Sequence, residues 1–430
     1  MRSITLKILL TRSSLKLHTK MLHSLIKAPT WFFDHNTVAK STVYGHVCTT
    51  INGLACIRTM GAQKAVIEDF HRFQNFHTTI HYALIAVSRW FGFNIDCLTV
   101  LLITVVTFLN VASSQNQNTG TVGLSLFYAI SLLSFLQWTI RQTTEFENLL
   151  VAVERILEYG ALPAEVDDAK QQDPVVSLPY NWPSSGEIVF ENLKLKYDKN
   201  ADDYILKGLT FRAVGGEKIG IVGRTGAGKS SIINALFRLS TFEGSILIDG
   251  VNINSVNLQE LRKRISVIPQ DPTIFTGTLR QNLDPFQEYE DDEIWRALDQ
   301  VELKTSFDNQ LGLQLVVQEG GTNLSVGQRQ LVCLARALLR KNKILVVDEA
   351  TSNVDFHTDK LIQRTIRIQF SDCTVLTIAH RIDTLLDYSQ IIVMDDGRIV
   401  EMAPPSVLLG DQKSAFGVLY RESGKYLEPK

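Results

Sequence analysis

The chain has 430 residues, with 43 Lys and Arg against 45 Asp and Glu, a formal net charge of −2 and 45% hydrophobic residues. That balance excludes the global basic field that holds nucleic acid, so no nucleic-acid partner is expected. The length allows two or three domains, and five dispersed cysteines (Cys48, Cys56, Cys97, Cys333, Cys373) without metal-ligand spacing point to reduced cytosolic thiols.

Met1 to Phe33 contains no acidic residue and carries Arg2, Arg12, Ser3, Ser13 and Ser14, a composition shared with mitochondrial transit peptides. The plainer reading, which we prefer, is the cytosolic end of a truncated membrane helix. Ile51 to Trp90 reads as mainly helical. His71, His77 and His81 lie on it; His77 and His81 share i,i+4 spacing, but no acidic partner sits between them to make a metal site.

Two apolar runs follow, Phe93 to Ala112 and Thr121 to Ile140. Each has about the 20 residues needed to cross a bilayer. Buried core helices are the alternative, which the pairing of two such runs around the polar Ser113 to Gly120 disfavours. Before Phe93 stand eleven basic residues against only Asp34, Glu68 and Asp69, and Arg141 follows the second run. The basic excess places the N-terminal stretch in the cytosol, and two crossings return the chain there.

Glu145 to Tyr159 continues as a charged amphipathic helix. A linker is expected next, with Pro163, Pro174, Pro179, Pro183 and the acidic Glu165, Asp167 and Asp168, ending near Ser184. Beyond it strand and helix patterns alternate, which predicts an α/β sheet core. Ile219 to Val222 reads as a strand running into Gly223-Arg224-Thr225-Gly226-Ala227-Gly228-Lys229-Ser230, with a helical pattern opening at Ser231. This is the spacing of a phosphate-binding loop: glycines let backbone N–H groups curl around phosphate oxygens, and the helix N-terminus adds partial positive charge. Lys229 is expected to reach the β- and γ-phosphates of ATP, and Ser230 to bind Mg²⁺.

Ile265 to Ile268 is a further strand, and Gln270 beyond it is a candidate for contact with the metal or the attacking water. The apolar strand Ile344 to Val347 ends in two carboxylates, with Asp348 expected on the metal and Glu349 as the proton acceptor. His380 ends the strand Thr374 to Ile378 and is a candidate donor to the γ-phosphate. A solvated turn is the plain alternative for Asp348-Glu349, and an ordinary surface role for Gln270 or His380. Near the end, Asp396-Gly397 between Ile391–Met394 and Ile399–Val400 signals a hairpin.

Leu324-Ser325-Val326-Gly327-Gln328 resembles the signature motif of ATP-binding cassette (ABC) proteins, and the motif order matches that family throughout residues 187–425. The resemblance implies a P-loop NTPase cassette of ABC type, preceded by an α-helical, partial transmembrane domain. It implies that the signature, through Ser325, Gly327 and Gln328, faces ATP held by a second ABC cassette. The small residues at a helix start suit that role, leaving donors for an external phosphate. Tyr197 would stack on adenine, and Ser352-Asn353-Val354-Asp355 is similar to the loop through which paired cassettes communicate. Asn323-Leu324-Ser325 also fits the glycosylation pattern, but a cytosolic loop does not meet the glycosylating enzyme.

Flanking segments, among them Phe275 to Arg280, Asn282 to Phe286 and Ser325 to Gln330, resemble the second cassette of the multidrug-resistance-associated proteins, in particular the type-4 branch. The division this implies is 1–36 as a remnant of a membrane-domain cytosolic loop, 37–160 as a partial transmembrane domain, 161–183 as linker and 184–430 as nucleotide-binding domain. Lys27 to Asp34 looks like the family's first cytosolic loop and Ser41 to Thr59 already like its second. An internal deletion between Asn36 and Ser41, from splicing or a gene-model error, is therefore expected. The function implied is the ATP-hydrolysing cassette of an exporter of organic anions or drug conjugates, multi-pass in the lipid bilayer of the plasma membrane, with a cytosolic cassette and incomplete alone. The alternatives are a non-transporting regulatory or inactive ABC subunit that binds ATP, and a soluble ATPase.

Overall fold

The computed structural model describes residues 42–112, 119–162, 181–197, 203–308, 311–351, 354–379, 381–411 and 413–424, with isolated positions at 16–17, 19–20, 23–24, 165 and 178–179. Several expectations therefore lie outside the described residues: the Lys27–Asp34 loop, the Asn36–Ser41 junction, most of the linker, Ser352, Asn353 and His380. The chain divides into two compact units, Met1–Val166 and Asp167–Lys430.

The first unit is helical, with α1 (Thr42–Asn52), α2 (Leu54–Thr59), α3 (Gln63–Ala112) and α4 (Thr119–Gly160). At 50 residues, α3 is long and apolar enough to cross a membrane, with a mean hydropathy of 2.2 over its most apolar window. Leu98, Leu101, Phe108 and Leu109 on it are exposed. Its polar side chains turn inward on their own helix: Thr99, Thr104 and Thr107 donate to the carbonyls of Ile95, Val100 and Ile103 at 2.7, 2.8 and 2.7 Å. This removes the hydroxyls from any need for water, as an apolar surrounding requires. Asn110 Nδ2 donates to Ser125 Oγ at 2.8 Å, a polar tie between α3 and α4 of the sort that associates helices in lipid.

The second apolar run lies on α4, where the apolar stretch among the described residues is Gly120–Ser131. The run and the charged segment that continues from it form one helix to Gly160.

Among its described residues the second unit holds twelve strands in three sheets. An antiparallel sheet of order β2-β1-β4-β5 is built from β1 (Ile188–Leu195), β2 (Leu206–Ala213), β4 (Phe242–Ile248) and β5 (Val251–Asn252). The six-stranded sheet uses β3 (Lys218–Gly223), β6 (Ile265–Ile268), β9 (Ile344–Asp348), β10 (Thr374–Ile378), β11 (Gln390–Asp395) and β12 (Arg398–Ala403), in the order β12-β11-β3-β10-β9-β6. A small pair, β7 (Gly277–Thr278) with β8 (Val316–Val317), completes them.

Every neighbour pair in the six-stranded sheet is parallel except β11 with β12. Parallel strands are covered on both faces, which is why β9 and β10 read as unbroken apolar runs and are buried along their length. The hairpin turn falls at Asp396-Gly397 as expected. Among the described residues three buried clusters pack on this sheet, one of them around Val222, Leu385, Ile391, Val393 and Phe416. Of the two larger ones, the first packs Phe190, Phe211, Ile232 and Leu236 with Ile219 and Ile221, and the Phe190 and Phe211 rings stack with centroids 4.3 Å apart. The other packs Leu331, Val332 and Leu334 of a 15-residue helix, α6 (Val326–Arg340), with Leu345, Val347 and Ile362.

Trp182, which the proline-rich context puts in the linker, belongs to the first core: it is 3% exposed, and its indole donates to Ile248 O at 3.1 Å. The four strands that matter for the site end level. Ile378 pairs with Ile221 on one side and Asp348 on the other, and Val347 pairs with Ile268. Their carboxyl ends share one edge of the sheet, the place where open α/β sheets bind ligands.

Candidate functional site

At that edge β3 runs into the loop 223–228 and then α5 (Lys229–Leu236). Packing imposes the loop's shape. A Cβ on Gly223 would lie 2.3 Å from Met394 O, and one on Gly228 2.9 Å from Leu206 Cδ2. Gly228 caps α5 at φ 90°, a left-handed conformation that glycine adopts without steric penalty. The hairpin turn between β11 and β12 buttresses the loop from behind, with Gly397 N donating to Ala227 O at 3.2 Å. Arg224, Thr225, Gly226 and Ser230 are exposed at the tip, whereas Ala227 and Ser231 are buried beneath.

Lys229 folds back over the loop, its Nζ donating to Gly223 O at 2.9 Å and Arg224 O at 3.1 Å. Half-burial lowers its pKa, while the negative charges of Glu349 and Asp348 act the other way. The carboxyl of Asp348 is held above the usual carboxylate range, first by burial and then by the neighbouring charge of Glu349, with Lys229 opposing. Its Oδ1 is buried without a hydrogen-bond partner. Such an atom is expensive to leave unsatisfied, and it is an oxygen donor of the kind Mg²⁺ prefers.

Glu349 sits directly past β9 at φ 43°, in the left-handed region. For a residue with a side chain this stores about 1–3 kcal/mol. Two contacts hold it there: its own N–H donates to Ile378 O at 3.0 Å, and Gln270 Nε2 donates to its Oε2 at 3.1 Å. Lys229, Asp348, Glu349 and Gln270 are thus gathered at one place, Asp348 and Glu349 from the end of β9, Gln270 from beyond β6 and Lys229 from the start of α5. His380, one residue past the described Ala379, lies outside the described residues.

Tyr197, two residues past β1, is 43% exposed and hydrogen-bonds α5: Asn234 Nδ2 donates to its hydroxyl at 2.7 Å, and Ser231 Oγ lies 3.1 Å away. Nothing in the sequence distinguished Asn234 from an ordinary helix position.

At the start of α6, Ser325 is the N-cap. Its Oγ accepts from Gln328 N at 3.1 Å, and Ser325 N donates to Gln328 Oε1 at 2.9 Å, forming a capping box. The Gln328 side chain, expected to contact nucleotide, is therefore committed to its own helix. Gly327 is buried rather than open: a Cβ there would stand 3.0 Å from Thr358 Oγ1 on α7 (Phe356–Gln369). Close approach of the two helices favours glycine at this position. Ser325 itself is exposed.

Asp355 caps α7 by accepting from Thr358 N and Oγ1 at 3.0 and 2.8 Å. Four residues on, buried Asp359 accepts from Arg381 Nη1 at 2.7 Å, joining α7 to the segment beside residue 380. The sequence offered no signal for this pair, because a carboxylate on a helix face reads as solvated.

Residues 206–352 match the ABC transporter family, and residues 37–140 match the ABC transporter transmembrane region. The chain belongs to the ABC transporter family. Over 90% of its length it is 47% identical to the probable multidrug resistance-associated protein lethal(2)03659 of Drosophila melanogaster. Over the same share it is 44% identical to ATP-binding cassette sub-family C member 4 of Homo sapiens and 43% to sub-family C member 2 of Rattus norvegicus. It spans 28%, 29% and 25% of those three proteins. The ABC cassette implies ATP binding, and the transmembrane region makes the chain a multi-pass membrane protein with its cassette in the cytosol.

Proposed function

We propose that the chain is the ATP-hydrolysing cassette, with part of the membrane domain, of an exporter of organic anions or drug conjugates. One observation carries the reading: a phosphate loop shaped by packing stands beside a buried, unpartnered Asp348 oxygen and a strained Glu349. The division proposed is a partial transmembrane domain over 37–160, a linker over 161–183 whose Trp182 packs into the cassette core, and a nucleotide-binding domain over 184–430.

Backbone N–H groups of 223–228 and the start of α5 bind the triphosphate, whose arrival draws Lys229 off the carbonyls of Gly223 and Arg224 onto the β- and γ-phosphates. Tyr197 takes the adenine. Ser230, Asp348 and the Gln270 amide oxygen would hold Mg²⁺, which supplies charge neutralisation to the phosphate oxygens. Gln270 now holds the Glu349 carboxylate in place. Water forms a bond to the γ-phosphorus as the bridging bond to ADP breaks, and Glu349 accepts the water's proton. His380 is assigned to the γ-phosphate. The signature of a second cassette, through the residue matching Ser325, closes the site from outside, so two cassettes are needed for turnover.

The test places the full chain in vesicles with a first-half partner. ATP-dependent uptake of a labelled organic anion supports the exporter. Partner modulation without uptake supports the alternative, a regulatory ABC subunit. Brisk MgATP turnover by the strictly monomeric chain defeats the shared-site mechanism.

A further inference from the structure

We infer that Asn234 is a positioning residue that presets the Tyr197 ring as the base platform of the nucleotide site. This deepens the ATP reading and rests on it.

A phenol oxygen has one hydrogen to donate and room to accept. Asn234 Nδ2 fills the accepting side at 2.7 Å, and Ser231 Oγ, 3.1 Å away, is placed to take the hydrogen. Ser231 and Asn234 lie three residues apart on α5 and therefore on one face. Ser231 is only 5% exposed, so that anchor is fixed by the core. The Tyr197 ring hangs from both points on the helix that opens with Lys229, next to the phosphate loop. Base platform and phosphate cradle are therefore one rigid piece, joined by side chains and not only by the backbone.

At 43% exposure the ring contributes little to the core, so the fold does not need this pair of hydrogen bonds. What they provide is order. A ring already held in place loses little side-chain entropy when a base stacks on it, whereas a free one must be immobilised at binding. Without Asn234 the phenol keeps a single partner and the ring regains its rotation.

The experiment compares two ligands on the full chain in detergent, ATP and inorganic tripolyphosphate, by calorimetric titration. Asn234→Ala favours helix, so α5 is retained. The variant is expected to weaken ATP about two- to tenfold, the range for ordering one side chain, and to leave tripolyphosphate unchanged. Equal weakening of both ligands, or of neither, overturns the inference. Tyr197→Phe keeps the ring and loses both anchors; it should weaken ATP at least as much as Asn234→Ala, and adding Asn234→Ala to it should weaken ATP no further. Additive losses overturn the inference as well. A wild-type chain that binds neither ligand overturns the ATP reading itself, and a chain that binds both with no effect of Asn234→Ala overturns only the positioning role.

Discussion

The phosphate loop and the start of α6 both carry small residues at the opening of a helix, yet different forces hold them. The loop is shaped from outside: Met394 O and Leu206 leave no room for a side chain at Gly223 and Gly228, and the 396–397 turn hydrogen-bonds Ala227. The signature segment is shaped from within, by the reciprocal bonds of Ser325 and Gln328. One is therefore a concave receptor set by its surroundings. The other pairs two of its own donors, Ser325 N and Gln328 N, and presents an exposed Ser325 at the helix start. A chain built this way carries one half of an ATP site at each of two separate places, and that fits the pairing of cassettes proposed above.

The sharpest way to break this contrast is chemical. Glu349→Gln leaves the loop untouched, so MgATP should bind as before while hydrolysis, measured with the partner cassette assembled, falls by about 10²–10⁴. Wild-type turnover by that variant contradicts the assignment of Glu349 as base. Next in size is Gly223→Ala, whose added carbon would press on Met394 O at 2.3 Å. Overpacking against backbone should destabilise the cassette by about 1–3 kcal/mol and abolish nucleotide binding. Thermal denaturation with and without ATP checks both, and a variant with wild-type affinity shows that packing does not set the loop.

How far the sequence anticipates this site divides along the same line. Lys229 follows from the phosphate-loop spacing, and Asp348, Glu349 and Gln270 from their places at or just past the ends of apolar strands; that they meet at one sheet edge comes from the register of β3, β10, β9 and β6. The packing of Gly327 on α7 and the local cap formed by Gln328 are not legible in the sequence, because a small residue before a helix looks the same whether it faces a ligand or another helix. Asn234 and the Arg381–Asp359 pair were invisible because their partners lie 37 and 22 residues away in the chain. Trp182 was misplaced because proline-rich context outweighs a single aromatic until its burial is known.

Ser325→Ala probes the other half of the contrast. Removing the cap oxygen leaves Gln328 N without its acceptor and should lower stability by about 1 kcal/mol. Because the signature serves a nucleotide outside this chain's own loop, ATP affinity at Gly223–Ser230 should not change. Titration of the full chain reads that directly, and a parallel loss of affinity would place both segments on one nucleotide.

The smallest effect concerns charge. Burial and the Glu349 carboxylate raise the Asp348 pKa, so the folded chain holds that proton more tightly than the unfolded one. Stability associated with Asp348 is then fully present below the unfolded carboxyl value, near pH 4, and is lost as pH rises through the higher folded value. At neutral pH without metal, the ionised Asp348 works against the fold. Asp348→Asn keeps the shape and removes that ionisation. The variant should therefore melt slightly higher than wild type at pH 7, and the gap should shrink toward acid pH. Adding Mg²⁺ with ATP should stabilise wild type and leave Asp348→Asn nearly unmoved. No comparable pH-dependent gap is expected for Ser325→Ala, whose cap holds no ionisable group. A gap of equal size in both would mean that the phosphate side carries no special electrostatic strain, and that the two helix starts differ in packing alone.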